Sequence, residues 1–340
     1  MIKLKRMGTL LLAVALLLLA LPLFGCASEN QKVIARCGEY DILYEELRFA
    51  VLTYKNLMED EYGDGNDSNG TIWDNPDSAA QYLDELEKRA WEYISANYDV
   101  LTTCSHYGID KSVYESDTVQ SAVDKSVNSF IAQYANRNEY EKALDANYTT
   151  ENLFRFLFAV EEMKMKLYNK LKADGAFFST EEDFLEWLRE GNFAYVQHVA
   201  IYNDERDDKD VNRELIDSVY EGLITNAHPL DYYVGNAFFN EDTSNTTPYY
   251  IFPHAYAEEL VEAAFALEED GDVSEVVETE EGYYVLVRID EPKNELETQL
   301  PNLLSLYQWG VVGEAVFEHK NDTPIVLNEF GKSINILEIQ

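Results

Sequence analysis

Apolar positions change their period twice along this chain. Val33-Ile34-Ala35-Arg36-Cys37-Gly38-Glu39-Tyr40-Asp41-Ile42 reads as a short strand, a Gly turn and a second extended stretch. Apolar residues then recur at three- and four-residue steps, which places them on one face of a helix. Leu43, Leu47, Ala50, Val51 and Tyr54 predict a helix from about Leu43 to Met58. Tyr82, Leu83, Leu86, Ala90, Tyr93, Ile94, Asn97 and Leu101 predict another over Ser78–Thr103. Further helices are predicted at Ser116–Tyr134, Asn138–Ala146 and Thr150–Lys172. Ser179-Thr180-Glu181-Glu182 has capping-box spacing and opens a helix to about Arg189.

At Asn192 the period shortens to two. Phe193–Ile201 alternates and is rich in β-formers, which predicts a strand. A charged turn, Asp204–Asp210, precedes helices at Val211–Leu223, Pro229–Val234 and Ala257–Leu267. Strands are predicted at Glu275–Glu278 and Tyr283–Ile289, giving the order β-α-α-α-β-β. After Pro292 comes a helix, Glu295–His319, interrupted near Pro301. Ile325–Leu327 and Ile334–Ile339 read as strands, and the tail strand Ile334–Ile339 is expected to share a sheet with Val33–Arg36. The fold class is α+β.

Composition narrows the function. The 340 residues suggest two domains with an extra segment. With 64 acidic residues against 26 Lys and Arg, the formal charge is −38. A phosphate backbone would be repelled, so no nucleic-acid partner is expected. The same charge keeps an exported protein soluble whatever its task. Cysteines stand at 26, 37 and 104, with no CxxC pair, which excludes a disulfide-dense scaffold and a cysteine-rich zinc site. Only a Cys37–Cys104 bridge is open, and the sequence does not decide it. Asp60–Asp77 is rich in Asp, Asn and Gly, but a calcium loop started at Asp64 puts Asn69 and Asn75 where Gly and Glu are required. It reads as a solvated loop.

Residues 1–25 read as an export signal. Lys3, Lys5 and Arg6 precede the apolar run Leu10–Phe24, which is short for crossing ~30 Å of hydrocarbon. Leu23-Phe24-Gly25-Cys26 resembles a bacterial lipobox, which implies lipidation at Cys26. The alternative is an uncleaved signal anchor. Either places the remainder outside the cytoplasmic membrane, and the lipid would anchor it to the outer face.

Glu262-Ala263-Ala264-Phe265-Ala266-Leu267, Gly271-Asp272-Val273-Ser274-Glu275-Val276-Val277-Glu278-Thr279 and Glu281-Gly282-Tyr283-Tyr284-Val285-Leu286-Val287 follow one another in order. This run resembles the second half of a parvulin-type peptidyl-prolyl isomerase domain, with one extra residue before Gly271. Val33–Ile42 is similar to the opening of SurA/PrsA-type foldases. The resemblance implies a helical chaperone domain built from both chain ends, with the isomerase domain inserted. The expected organisation is a signal over 1–25, a tether over 26–32, a helical region over 33–190, a parvulin-like domain over 191–292, and a completing segment over 293–340.

The family sets two histidines side by side near an acid. His198 falls at the first position, Tyr284 replaces the second, and Asp242 stands near the acid. Tyr256, Leu260 and Phe265 fall where the apolar socket for proline is lined, and Thr246-Thr247-Pro248-Tyr249-Tyr250 replaces the usual Gly-rich stretch. No cofactor or metal is needed, because the reaction only rotates a partial double bond over ~18–20 kcal/mol. The other histidines, at 106, 228, 254 and 319, show no metal-ligand spacing. The implied partners are unfolded or proline-containing exported polypeptides. The function is then a tethered extracytoplasmic folding factor with a weakened isomerase. The alternative is a non-catalytic peptide-binding or scaffold lipoprotein that keeps only the parvulin fold.

Overall fold

A computed structural model of the chain describes residues 27–63, 70–203, 209–242 and 245–340. The stretch 1–25 expected as an export signal, Cys26, residues 64–69 of the acidic loop and residues 204–208 of the charged turn lie outside them. Among the described residues no helix is long and apolar enough to cross a membrane. The fold is α+β, and it divides into two compact units. One, the terminal unit, holds residues 27–170 and Ala315–Gln340; the other, the inserted unit, is Leu171–Glu314.

In the terminal unit, α1 (Ala27–Asn30) leads into β1 (Val33–Cys37) and β2 (Tyr40–Leu43). The hairpin turns at Gly38, whose φ of +56 suits a residue without Cβ. β7 (Ile325–Leu327) pairs with the other edge of β1, so the sheet order is β2-β1-β7. β1 is central, and Ile34, Ala35 and Cys37 are buried. The tail stretch 334–339, expected as a strand in this sheet, is instead a 3-10 turn at Ile336–Glu338. Asn335 caps it, and Lys55 donates to the carbonyls of Leu337 and Ile339, so those groups need no strand partner.

The unit's helices are α2 (Tyr44–Tyr62), α3 (Pro76–His106), α4 (Lys111–Tyr114), α5 (Asp117–Ile131), α6 (Arg137–Ala146) and α7 (Glu151–Ala173), the last running on into the inserted unit. Their ends differ from expectation by a few residues, because capping decides them. α3 starts at Pro76 since Asn75 accepts from the amides of Asp77 and Ser78. At the start of α2, Glu46 reaches back to accept from the amide of Leu43 at 2.7 Å. Tyr98 donates to the same carboxyl. Burial raises the Glu46 carboxyl to about 8. Cys37 and Cys104 are both buried free thiols, so no bridge joins them.

In the inserted unit, α8 (Glu181–Arg189) begins at Thr180, which accepts from the amide of Asp183. Then come β3 (Ala194–Tyr202), α9 (Lys209–Ile224), α10 (Leu230–Val234), β4 (Tyr249–Ile251), α11 (Glu258–Phe265), β5 (Val277–Glu278) and β6 (Gly282–Arg288). β4, not expected from the sequence, pairs with the start of β3, and the antiparallel sheet runs β4-β3-β6-β5. Each face carries its own core. Val199, Ile201, Tyr283, Val285 and Val287 pack with Ile216, Val219 and Leu223 of α9. Ala194, Val196, Ala200, Tyr284 and Leu286 pack with Leu260 and Ala264 of α11. α12 (Glu295–Glu318) passes through Pro301 without interruption. The missing N–H removes one bond, while Leu296, Leu300, Leu303, Leu304 and Tyr307 remain buried on one stripe and hold the helix. α13 (Glu329–Lys332) follows β7 in the terminal unit.

Candidate functional site

The site rests on the register of β3 and β6. His198 is opposite Leu286, and Ala200 is opposite Tyr284. His198 and Tyr284 are therefore diagonal neighbours on one face. Their rings meet edge to face at 5.8 Å. Each side is closed: both residues expose only 2% of their surface.

Asp242 reaches the ring from the segment before β4. β4 covers only Ala194–Val196, which leaves the rest of that β3 edge unpaired. Residues 240–242 supply the missing partners. Asn240 Oδ1 accepts from the amide of Ala200 at 3.0 Å, and the amide of Glu241 donates to the Ala200 carbonyl at 2.8 Å. The carboxylate of Glu241 accepts from the amide of Tyr202 at 2.7 Å. Asp242 is thereby held with Oδ2 3.1 Å from His198 Nε2. Asn245 donates to the same oxygen at 2.6 Å, and the Tyr202 hydroxyl also bonds this carboxylate.

The other ring nitrogen is taken as well. His198 Nδ1 lies 2.6 Å from the hydroxyl of Tyr249 on β4. A carboxylate only accepts, so Nε2 carries the proton toward Asp242. In the neutral ring Nδ1 then accepts from Tyr249. Burial above all, then the neighbouring Tyr256 and Asp242, pushes the Tyr249 hydroxyl well above its ordinary range. Burial and the Asp242 charge do the same to Tyr202. Both phenols therefore stay protonated and act as donors.

Of the residues expected at the site, the structure brings together His198, Asp242 and Tyr284. Tyr256 lies beside Tyr249 with the rings 5.6 Å apart and tilted, and Leu260 packs in the core around Tyr284. Phe265 does not join them and is 38% exposed. It follows Ala264 by one residue, a turn of about 100°, so it leaves the buried face of α11. Tyr249, Tyr202, Asn240 and Asn245 were not foreseen. The only signal was the Tyr249-Tyr250 pair after Pro248, a β-forming doublet in a polar stretch.

No family model and no curated protein matches the chain. Among solved structures it is similar to the peptidylprolyl isomerase PrsA of Bacillus anthracis at 16% identity, over 67% of this chain and 95% of that one, with a TM-score of 0.35. It is similar to the foldase protein PrsA of Streptococcus pneumoniae at 15% identity, over 73% and 86%, with a TM-score of 0.30. A third match, at 15% identity over 86% and 96% with a TM-score of 0.19, is to a structure from a study of PEB4 and Cj1289, SurA-like chaperones of Campylobacter jejuni.

Proposed function

We propose that this protein is a membrane-tethered extracytoplasmic folding factor of SurA/PrsA type whose parvulin-like domain has lost most of its isomerase activity. The observation that carries the reading is the His198–Asp242–Tyr249 array. The histidine sits on a strand next to Tyr284, as the family resemblance requires, but both of its nitrogens are already bonded inside the fold. A twisted prolyl amide is favoured by polar groups that can turn toward it. His198 has no free nitrogen to offer, and Tyr284 cannot reverse donor and acceptor roles as a second imidazole would. What remains is a polypeptide-binding protein. Its clients would be unfolded or proline-containing exported chains, and it needs neither cofactor nor nucleic acid. Lipid on Cys26 would hold it at the outer face of the cytoplasmic membrane.

The test pairs a protease-coupled proline-peptide assay with suppression of aggregation of a denatured client. Little isomerase activity together with clear suppression supports the reading. An efficient isomerase rate that His198→Ala abolishes would refute the loss of catalysis. Absence of suppression would refute the chaperone role. Cys26→Ser should abolish labelling by a fatty-acid probe, and unchanged labelling would remove the tether. The burial of His198 also favours a second reading, a scaffold lipoprotein that keeps only the parvulin fold; it requires binding of folded partners without suppression of aggregation.

A further inference from the structure

Two histidines that the sequence leaves far apart meet in the terminal unit. His106, in the last turn of α3, and His319, just after α12, stack at 4.2 Å with an interplanar angle of 10°. Asp322 stands at the same corner. Its Oδ2 is 2.9 Å from His319 Nδ1 and 3.8 Å from His106 Nε2. Two imidazole nitrogens thus face one carboxylate oxygen, and the three donor atoms lie within 4.8 Å of one another. We propose that His106, His319 and Asp322 bind a divalent transition-metal ion, with zinc as the best fit.

The donor chemistry sets the class. Two imidazoles and one carboxylate suit zinc and its neighbours, while magnesium and calcium take oxygen ligands. Three protein donors leave a fourth tetrahedral position open. It would be filled by water or an incoming group. An open groove of about 360 Å³, bounded in part by His106 and Thr323, adjoins the cluster. Around a tetrahedral ion the donors stand roughly 3.3–3.5 Å apart, so the His106–Asp322 pair must close from 3.8 Å, the His319–Asp322 pair must open from 2.9 Å, and the near-parallel rings must tilt toward the ion. The side chain of His106 is 49% exposed, so its ring is not locked by packing.

Asp322 is fixed by what lies beneath it. Asn321 adopts a φ of +64, and its amide donates to the carboxylate of buried Asp99 at 3.0 Å. On the other side the thiol of Cys37 donates to the carbonyl of Thr323 at 3.3 Å. Tyr107 meets the His319 ring edge-on at 6.3 Å. Two fields also favour a cation here. His106 ends a helix, where the carbonyl ends carry partial negative charge. The whole chain carries −38, which concentrates cations at its surface. A bound ion would pin the return segment Ala315–Gln340 to α3 within the same unit.

The experiment is isothermal titration of the full chain with zinc chloride at physiological salt, in excess magnesium to occupy oxygen-only sites. Cobalt(II) absorption serves as a second readout of nitrogen ligation. One equivalent of zinc should bind, and removing both rings, His106→Gln with His319→Gln, should weaken it at least ~100-fold. His228→Gln, far from the cluster in sequence and in the other unit, should bind as wild type does. Thermal melting without metal should be the same for all variants, because both rings are partly exposed. The proposal fails if no saturable equivalent binds, or if the double variant binds zinc as tightly as wild type.

Discussion

Tyr249 and Asp242 occupy opposite nitrogens of the His198 ring, at 2.6 and 3.1 Å. The imidazole is therefore a buried connector between β4 and the 240–242 segment. On the reading proposed above, gaining isomerase activity should need two changes. Tyr284→His alone should leave the proline-peptide rate near wild type. Tyr284→His together with Tyr249→Phe, which frees Nδ1, should raise it, and a flat response in the double variant would refute occupancy of Nδ1 as the cause of a weak rate.

The same contact contributes to stability. Tyr249→Phe removes a hydrogen bond and leaves a buried ring nitrogen without its donor, which should cost about 1–3 kcal/mol. Urea unfolding of the variant against wild type measures it.

Glu46 should give the terminal unit a pH dependence. Its carboxyl is raised by burial, from 4.5 to about 8. Below 4.5 both folded and unfolded states are protonated, and the stability is fully present. As pH rises toward 8 the unfolded chain releases its proton first, so stability is lost through that window and is level above it. Glu46→Gln should flatten this component. Relative to wild type, the variant should gain roughly 1–3 kcal/mol between pH 5 and pH 9 in urea titrations.

Gly282 opens β6 at a φ of +154, and a Cβ there would meet the Ile201 carbonyl oxygen at 2.2 Å. Both residues belong to the β3–β6 pairing that sets Tyr284 beside His198. Gly282→Ala should destabilise the inserted unit by about 2–4 kcal/mol, read as a lower denaturation midpoint.

The two buried thiols should be inert in the folded protein. Burial, helped by the charge of Asp99, raises Cys37 to about 11, and burial raises Cys104 to about 12. Against the ordinary 9.0, Cys37 then holds about 100-fold less thiolate at neutral pH. Peptide mass spectrometry should find neither residue alkylated by iodoacetamide until denaturant is added, and then both.

What the sequence determined by itself was whatever repeats at short range. The three- and four-residue spacing of Leu86, Ala90, Ile94 and Leu101 defined a helix, and the alternation of Phe193–Ile201 defined a strand with His198 on a known face. The placement of Tyr284 followed from strand period and family likeness together. Tertiary structure decided everything that depends on which backbone groups lack a local partner. β4 formed at Tyr249–Ile251 because the edge of β3 was open, and that brought an unforeseen hydroxyl to His198. Ile334–Ile339 has the composition of a strand, yet Lys55 satisfied its carbonyls and it became a turn. His319 and Asp322 stand three residues apart in the sequence, but His106 joins them only because α3 and the stretch after α12 meet when the chain closes on itself. Periodicity encodes the face a residue presents; the neighbour across that face is set by packing between distant segments, which no local pattern contains.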